Sequence, residues 1–196
     1  SLTDETSGEA TTLASQGGGL YAGDSSFLPQ AGHTYRLQFA YDGEEVSATT
    51  TIAEMPEGVT FSVTDITAPS FGGGMGGPVA ATPLTITWSN PAQDYYLLAV
   101  RCIDPDSVRL DSGVVRTMSD VLTQDSAALL SPMQLSYTGR HAVKLCRLQP
   151  EYVLLLQRHE QGKTSETVQE VNANVEGGFG IFTGVSAYSG VVVVHK

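Results

Sequence analysis

The chain has 196 residues, of which 41% are hydrophobic, and its formal net charge is −11 with a pI near 4.6. This length and hydrophobic content allow one large or two small packed domains and exclude a chain that is disordered throughout. So acidic a chain repels phosphate backbones and anionic lipids, and we therefore expect no nucleic-acid binding. No apolar run reaches the length of a membrane-spanning helix. Because the sequence lacks an initiator methionine and a signal peptide, we expect a processed chain or a fragment.

The first clear element is a β-hairpin. Residues Thr34–Tyr41 alternate strictly between apolar and polar side chains, which is typical of a strand with one buried face. Asp42-Gly43 follows and is a strong signal for a two-residue hairpin turn. The return strand is predicted at Val46–Ala53, and another strand begins at Val59.

The hairpin has more apolar surface than its surroundings can cover. Residues 1–27 are polar and glycine-rich, so they supply little to a second layer. We therefore predict that this first domain is completed by residues absent from the chain or by another polypeptide. The predicted inward row consists of Tyr35, Leu37, Phe39, Tyr41, Val46, Ala48 and Ile52.

Residues 68–83 are rich in Gly and Pro and form the best domain boundary, between domains at 1–67 and 84–196. The second domain begins with an alternating strand, Leu84–Trp88. Tyr95–Cys102 is apolar on both faces, which predicts a central strand. The long connection that follows holds a short helix or an edge strand at Met118–Leu130, and the next strand is His141–Leu148.

Gln149-Pro150-Glu151 has the form of a helix start, because proline suits the first helical position and an acid complements the helix dipole. Gly162 would end this helix. A strand is the alternative, since Tyr152–Leu156 is continuously apolar. Val185–His195 is the last predicted strand.

A glycine-rich motif precedes that last strand. It predicts a tight corner in which the glycines have positive φ or allow close backbone approach, while the aromatic residues between them are buried. Its residues are Asn174, Gly177, Gly178, Phe179, Gly180 and Phe182.

Other residue patterns gave weaker candidates for chemistry. Asp104, Asp106 and Asp111 could gather around Ca²⁺, and Trp88, Tyr95, Tyr96 and Tyr152 could form a platform for a glycan. The four histidines lie on separate elements, so we expect no metal centre. No catalytic constellation or nucleophile motif stands out, and we expect no cofactor and no catalytic residue. Cys102 and Cys146 are either one disulfide or two buried thiols: they lie near the ends of strands that could be neighbours, which favours a bond, whereas the faces on which they lie conflict with it.

Several phrases resemble, in order, those of a family of Bacteroidetes outer-membrane-associated lipoproteins of unknown function. The match covers most of residues 30–185. The matching segments are Thr34-Tyr-Arg-Leu, Ser47-Ala-Thr-Thr, Met55-Pro56, Leu84-Thr-Ile-Thr-Trp, Asp94-Tyr-Tyr-Leu-Leu-Ala-Val, His141-Ala-Val-Lys-Leu, Glu151-Tyr152 and Asn174-Val-Glu-Gly-Gly-Phe-Gly-Ile-Phe.

The resemblance implies an immunoglobulin-like or carboxypeptidase-regulatory-like β-sandwich, followed by a β-rich domain related to fibronectin type III with one or two short helices. It also implies a lipid anchor upstream of the chain, and genes near TonB-dependent transporters. Family members have further strands before a phrase similar to the one at which this chain begins, so the resemblance implies an incomplete first sandwich.

These observations lead us to expect a non-enzymatic surface lipoprotein of the outer membrane, on the cell surface or in the periplasmic leaflet. It would be an accessory or binding subunit of a transporter or assembly machine. The alternatives are a structural or adhesive surface protein, a glycan-binding module and, last, a hydrolase.

Overall fold

The computed structural model of the chain describes residues 1–68, 83–110, 120–160 and 174–196, with side chains for all of these except 158–160. Within these ranges the chain is mainly β, with several sheets, one α-helix and one 3-10 helix. The predicted mainly β, sandwich-type fold with one or two short helices is therefore confirmed. The predicted linker at 68–83 lies outside the described residues except at its two ends.

The elements in chain order are β1 (Leu2–Asp4), β2 (Ala10–Thr11), β3 (Ala14–Gly17), β4 (Leu20–Ala22), β5 (Thr34–Tyr41), β6 (Glu44–Thr51), β7 (Thr60–Phe61), β8 (Asp65–Thr67), β9 (Leu84–Thr87), β10 (Tyr96–Cys102), β11 (Val121–Thr123), β12 (Ala127–Leu130), a 3-10 helix (Pro132–Gln134), β13 (Gly139–Arg147), α1 (Pro150–Glu160), β14 (Val175–Glu176) and β15 (Ser186–His195).

The chain forms two compact units, each built from two separate stretches. The first unit contains Ser1–Glu54 and Leu148–Ser186, and the second contains Met55–Arg147 and Ala187–Lys196. The domains predicted from the sequence are consecutive ranges, whereas in the structure stretches of the two units alternate along the chain.

The first unit is built on a five-stranded sheet in the order β14-β6-β5-β1-β2. Its centre is the predicted hairpin, β5 and β6, in full antiparallel register from Thr34↔Thr51 to Tyr41↔Glu44. Asp42 and Gly43 form the turn with φ values of 51° and 84°, which is the left-handed backbone that two-residue hairpin turns require. The hairpin prediction is therefore confirmed.

The segment after β13 is a helix and not the alternative strand. α1 begins at Pro150, as predicted, and the carbonyl oxygen of Gln149 accepts hydrogen bonds from the backbone N–H groups of Tyr152 and Val153. Val153 is buried, and Glu151 lies in the first turn, where a carboxylate complements the helix dipole. The predicted stop at Gly162 lies outside the described residues.

Residues 1–27 contain four short strands, more structure than their composition indicated. β1 and β2 extend the five-stranded sheet, whereas β3 and β4 pair only with each other, across the turn Gly18-Gly19. Every residue of β3 and β4 is exposed. We call residues Ala14–Ala22 the arm.

The second unit is a sandwich of two sheets, β11-β10-β13-β15-β8 and β12-β9-β7. β10 lies between two strands, as its apolar composition predicted, and Met118–Leu130 contributes the edge strands β11 and β12. β15 and β8 pair in parallel, while the other strand pairs with described registers are antiparallel. Side chains from both sheets form one core, which includes Leu84, Ile86, Trp88, Tyr96, Leu98, Val143, Leu145, Val192 and Val194.

Candidate functional site

Asn174, the first residue of the glycine-rich motif, joins the motif to the edge of the first sheet. Its side-chain amide donates hydrogen bonds to the carbonyl oxygens of Thr49, at 2.9 Å, and Phe182. Its Oδ1 accepts a hydrogen bond from the backbone N–H of Phe182 at 3.0 Å. One side chain therefore closes the loop 174–182 and holds it on β6.

This edge of β6 is occupied along most of its length. β14 pairs with it at Val175↔Ala48 and Glu176↔Ser47, and the Gln149 side chain donates to the carbonyl oxygen of Thr51. Unpaired strand edges attract other strands, and natural proteins cover them. Side-chain amides and a two-residue strand of the same chain provide that cover on β6.

Gly177 allows the closest backbone approach in the motif. Its φ is 72°, and a Cβ at this position would lie 2.2 Å from the carbonyl oxygen of Glu45. Gly180 also has positive φ, at 135°, with open space around it, whereas a Cβ on Gly178 would lie 3.2 Å from Cγ1 of Val46. The architectural role predicted for the glycines thus rests on contact at Gly177 and Gly178 and on backbone conformation at Gly177 and Gly180.

The predicted burial of the aromatic residues in the motif is wrong for Phe179. Ile181 and Phe182 are partly buried, but the Phe179 side chain is 78% exposed. The prediction assumed that hydrophobic residues between glycines face a core. In the structure Phe179 and the two glycines before it are exposed, so the corner presents Phe179 to solvent.

The apolar face of the hairpin is covered at one end and open at the other. Of its seven predicted residues, four are buried and Leu37 is partly buried, while Phe39 is 46% and Tyr41 73% exposed. The four buried residues are Tyr35, Val46, Ala48 and Ile52.

Cover for the buried end comes from later residues of the same chain. Glu151 of α1 accepts a hydrogen bond from the Thr50 hydroxyl, and Gly178 and Gly184 approach the side chains of Val46 and Ile52. The prediction that this face needs material from outside the chain is therefore wrong for the buried residues. For Phe39 and Tyr41 it stays a prediction.

The exposed aromatic residues Phe39, Tyr41 and Phe179 lie at the same end of the hairpin. Phe39 is paired directly opposite Val46, Tyr41 is two residues further on the same face, and Phe179 follows the glycine that lies on Val46. We call Phe39, Tyr41 and Phe179 the apolar end. Four exposed carboxylates accompany it, on Asp42, Glu44, Glu45 and Glu176.

At the opposite end of β5 lies a buried carboxylate that the sequence analysis did not single out. Asp4 Oδ1 accepts hydrogen bonds from the backbone N–H groups of Thr6 and Ser7 at 2.9 and 3.2 Å, and His33 Nδ1 donates to Oδ2 at 2.7 Å. Burial by itself raises the pKa of Asp4, but the bonds from His33, Ser7 and Thr6 outweigh it and hold that pKa well below 3.8. Asp-x-Thr-Ser-Gly, a turn-forming sequence at Asp4–Gly8, is the signal that could have revealed it.

Cys102 and Cys146 are free thiols, so the candidate disulfide is not formed. They lie on neighbouring strands, but Cys102 pairs with His141 and Cys146 with Leu97. Five residues of register separate them, about 17 Å along the strands, and they point to opposite faces. Burial raises the pKa of the Cys146 thiol.

The residues of the predicted Ca²⁺ site and of the predicted glycan platform are not brought together in the described part of the chain. The Asp104 carboxylate accepts a hydrogen bond from the backbone N–H of Arg140, Asp106 is exposed, and Asp111 lies outside the described residues. No group of three His, Cys, Asp or Glu side chains among the described residues is arranged to hold a metal ion. Trp88 and Tyr96 pack in the core of the second unit with ring centroids 5.5 Å apart, so they cannot form an exposed glycan platform with Tyr95.

Comparison with known protein families assigns the chain to one of them. The model of a family described as a domain of unknown function, DUF4249, matches residues 1–190, and the chain belongs to that family. Neither the curated proteins nor the solved structures include a significant match to the chain. In the described part of the chain, no helix is both long and apolar enough to cross a membrane.

Proposed function

We propose that the chain is a non-enzymatic binding subunit of an outer-membrane protein complex and docks on its partner through the apolar end. The observation that supports this proposal most directly is the exposure of three aromatic side chains, Phe39, Tyr41 and Phe179, on a firmly hydrogen-bonded framework. Aromatic residues are enriched at the centres of protein interfaces, because they bury a large area at low conformational cost.

The charges beside the apolar end indicate what kind of partner fits. Asp42, Glu44, Glu45 and Glu176 are exposed around it, and the whole chain carries a net charge of −11. Complementary potentials speed encounter and suppress wrong partners. The partner would therefore present an apolar surface with basic residues at its rim, as an outer-membrane transporter or assembly protein could.

The proposed setting is a lipid anchor upstream of the chain that holds it to the outer membrane, on the cell surface or in the periplasmic leaflet. Incorporation of a labelled fatty acid by the full-length protein in its native cells, followed by membrane fractionation, tests this part separately. Recovery of the unlabelled protein in the soluble fraction would contradict it.

Glycan binding is the second candidate for the same surface, because Phe39 and Tyr41 lie on one strand face with exposed rings that could stack on sugars. In that case a soluble oligosaccharide would shift the nuclear magnetic resonance signals of these rings in the isolated protein. The structural or adhesive alternative predicts no such shift.

The docking proposal is tested by native electrophoresis of gently solubilised membranes from cells expressing tagged chain. The wild type should migrate within a larger complex, and the double variant Tyr41→Ser/Phe179→Ser should migrate free, because both side chains are exposed and their loss leaves the fold intact.

Leu129→Ser is the matched control, since Leu129 is 64% exposed and lies in the second unit. This variant should stay in the complex. A complex that survives in the double variant, or a wild type that migrates alone, would overturn the docking proposal.

A further inference from the structure

The arm is a second unusual surface of the first unit, separate from the apolar end. Its two strands pair only with each other, and all seven of their residues are exposed. An isolated two-stranded hairpin is marginally stable in water, and both of its edges present free backbone groups. A surface that covers the tip of such a hairpin would stabilise it.

The sheet register shows where the arm leaves the unit. Thr3↔Ala10 and Leu2↔Thr11 pair β1 with β2, and Leu2↔Leu37 pairs β1 with β5. β2 therefore runs in the same direction as β5, and the chain leaving Thr11 continues toward the end of the sheet that carries Tyr41. The arm and the apolar end consequently belong to the same end of the sheet.

The composition of the arm differs from that of the chain as a whole. No charged residue occurs from Ala10 to Gly23, although charged residues make up 16% of the chain. Natural sheets protect their exposed edges with charged residues or proline, and this segment contains neither. The segment can therefore enter an apolar or interfacial environment without desolvating a charged side chain.

Two large apolar residues lie at the tip, on opposite faces. Leu20 and Tyr21 are 65% and 60% exposed, and successive residues of a strand point to opposite sides. A partner that docks on one face would leave the other residue in water. Both Leu20 and Tyr21 would be covered if the tip were immersed in an apolar or interfacial medium that surrounds it.

A second copy of the chain does not fit this end of the sheet. Two copies meeting there would bring together two sets of exposed carboxylates, on Asp42, Glu44 and Glu45, and like charges close together are unfavourable. An uncharged surface meets no such repulsion.

We propose that the tip of the arm, residues Gly17–Tyr21, inserts into the head-group region of a zwitterionic phospholipid surface. Leu20 reaches the boundary of the acyl chains, while Tyr21 keeps its ring at the interface and its hydroxyl among the head groups. Head groups and water satisfy the open backbone edges, and this need limits the depth of insertion. The inference stands independently of the docking proposal, because the two use different residues.

The test uses the whole chain and large vesicles of phosphatidylcholine at millimolar lipid. Tyr21→Trp should be quenched by lipids brominated near the head group. Leu28→Trp is the control: Leu28 is 73% exposed but lies next to Phe27, which packs on Tyr35 at the other end of β5, and it should not be quenched. Trp88, the one native tryptophan, is buried and gives a constant background.

Loss of the tip side chains should weaken vesicle binding. Leu20→Ser and Tyr21→Ser should each reduce the partition coefficient about tenfold, as expected for removing one buried apolar side chain. Neither should change the thermal unfolding midpoint, since both residues are exposed. Added phosphatidylglycerol should reduce binding, because the chain is acidic.

Three results would overturn the inference. They are equal quenching of the two tryptophan variants, vesicle binding that the serine variants leave unchanged, and self-association without lipid that Tyr21→Ser abolishes. The last of these would assign the arm to a protein contact.

Discussion

At the scale of single residues, the first unit depends on side chains and glycines that fix the loops around its sheet. Gly177 contacts β6 at Glu45 and Asn174 bonds to it at Thr49, while Asp4, on the other side of β5 from β6, holds the turn of residues 4–8 and His33. Each has a defined contact, so each gives a prediction with a matched control.

Gly177→Ala should lower the free energy of unfolding by about 3–5 kcal/mol, because the added Cβ would overlap the carbonyl oxygen of Glu45 in addition to straining a positive φ. Gly8→Ala has a similar φ, 81°, but open space, so it should cost only about 1–2 kcal/mol. Urea unfolding of the two variants measures the difference. Equal costs would show that the contact with Glu45 does not constrain the motif.

The stability of the protein should fall with acid in a way that depends on Asp4. Its pKa in the folded state lies below the ordinary 3.8, so folding favours the ionised form. This contribution is fully present above about pH 4 and is lost as the pH falls toward the pKa of the folded state. Asp4→Asn should therefore flatten the dependence of the unfolding free energy on pH below about pH 4. Glu9→Gln, at an exposed carboxylate next to that turn, is the matched control, and an equal flattening in both variants would show that the effect does not come from Asp4.

At the scale of secondary-structure elements, local sequence patterns predicted the positions of the strands well. They did not predict which residues cover the edges and faces of those strands. The hairpin follows from strict alternation and from Asp42-Gly43, and α1 follows from Pro150, because both signals act between near neighbours. The pairing of β14 with β6 joins residues more than a hundred positions apart, and no short-range pattern reports it. The exposure of Phe179 was missed for a related reason: hydrophobicity measures a preference for burial and does not show whether a loop provides it.

The edge of β6 provides the prediction at this scale. Asn174→Ala removes hydrogen bonds to Thr49 and to both backbone groups of Phe182, and should cost about 1–3 kcal/mol. It should also expose the edge, so amide hydrogen exchange should quicken in β6. Gln30→Ala removes an exposed amide elsewhere in the unit and should change neither property. Unchanged exchange in β6 of the Asn174 variant would mean that the edge is held by β14 alone.

At the scale of the whole molecule, the chain passes between its two units three times, at residues 54–55, 147–148 and 186–187. A fragment that contains only residues 1–67 lacks α1 and β14, which contact β6 in the complete chain. The predicted consecutive division, with domains at 1–67 and 84–196, was based on the composition of the linker. Composition does not indicate which stretches of a chain pack together.

The fragment 1–67 should therefore show no cooperative thermal unfolding. A chain that joins residues 1–54 to 148–186 through a short Gly-Ser linker restores the first unit and should unfold cooperatively; Gln149 already donates a hydrogen bond to Thr51, so the new junction is short. Circular dichroism during heating compares the two. Cooperative unfolding of the shorter fragment would show that the covering residues are dispensable.

The position of β15 also determines when the protein can fold during its synthesis. β15 lies between β13 and β8 and places Val192 and Val194 in the core of the second unit, while the first unit needs residues up to 186. Neither unit can close until residues 186–194 have left the ribosome, and contacts between residues so distant in sequence form slowly. We therefore expect many of the residues before β15 to stay without their packing partners, and accessible to chaperones, until β15 has been made. That delay suits a polypeptide that must be threaded through a translocation channel before it folds, as the proposed location requires.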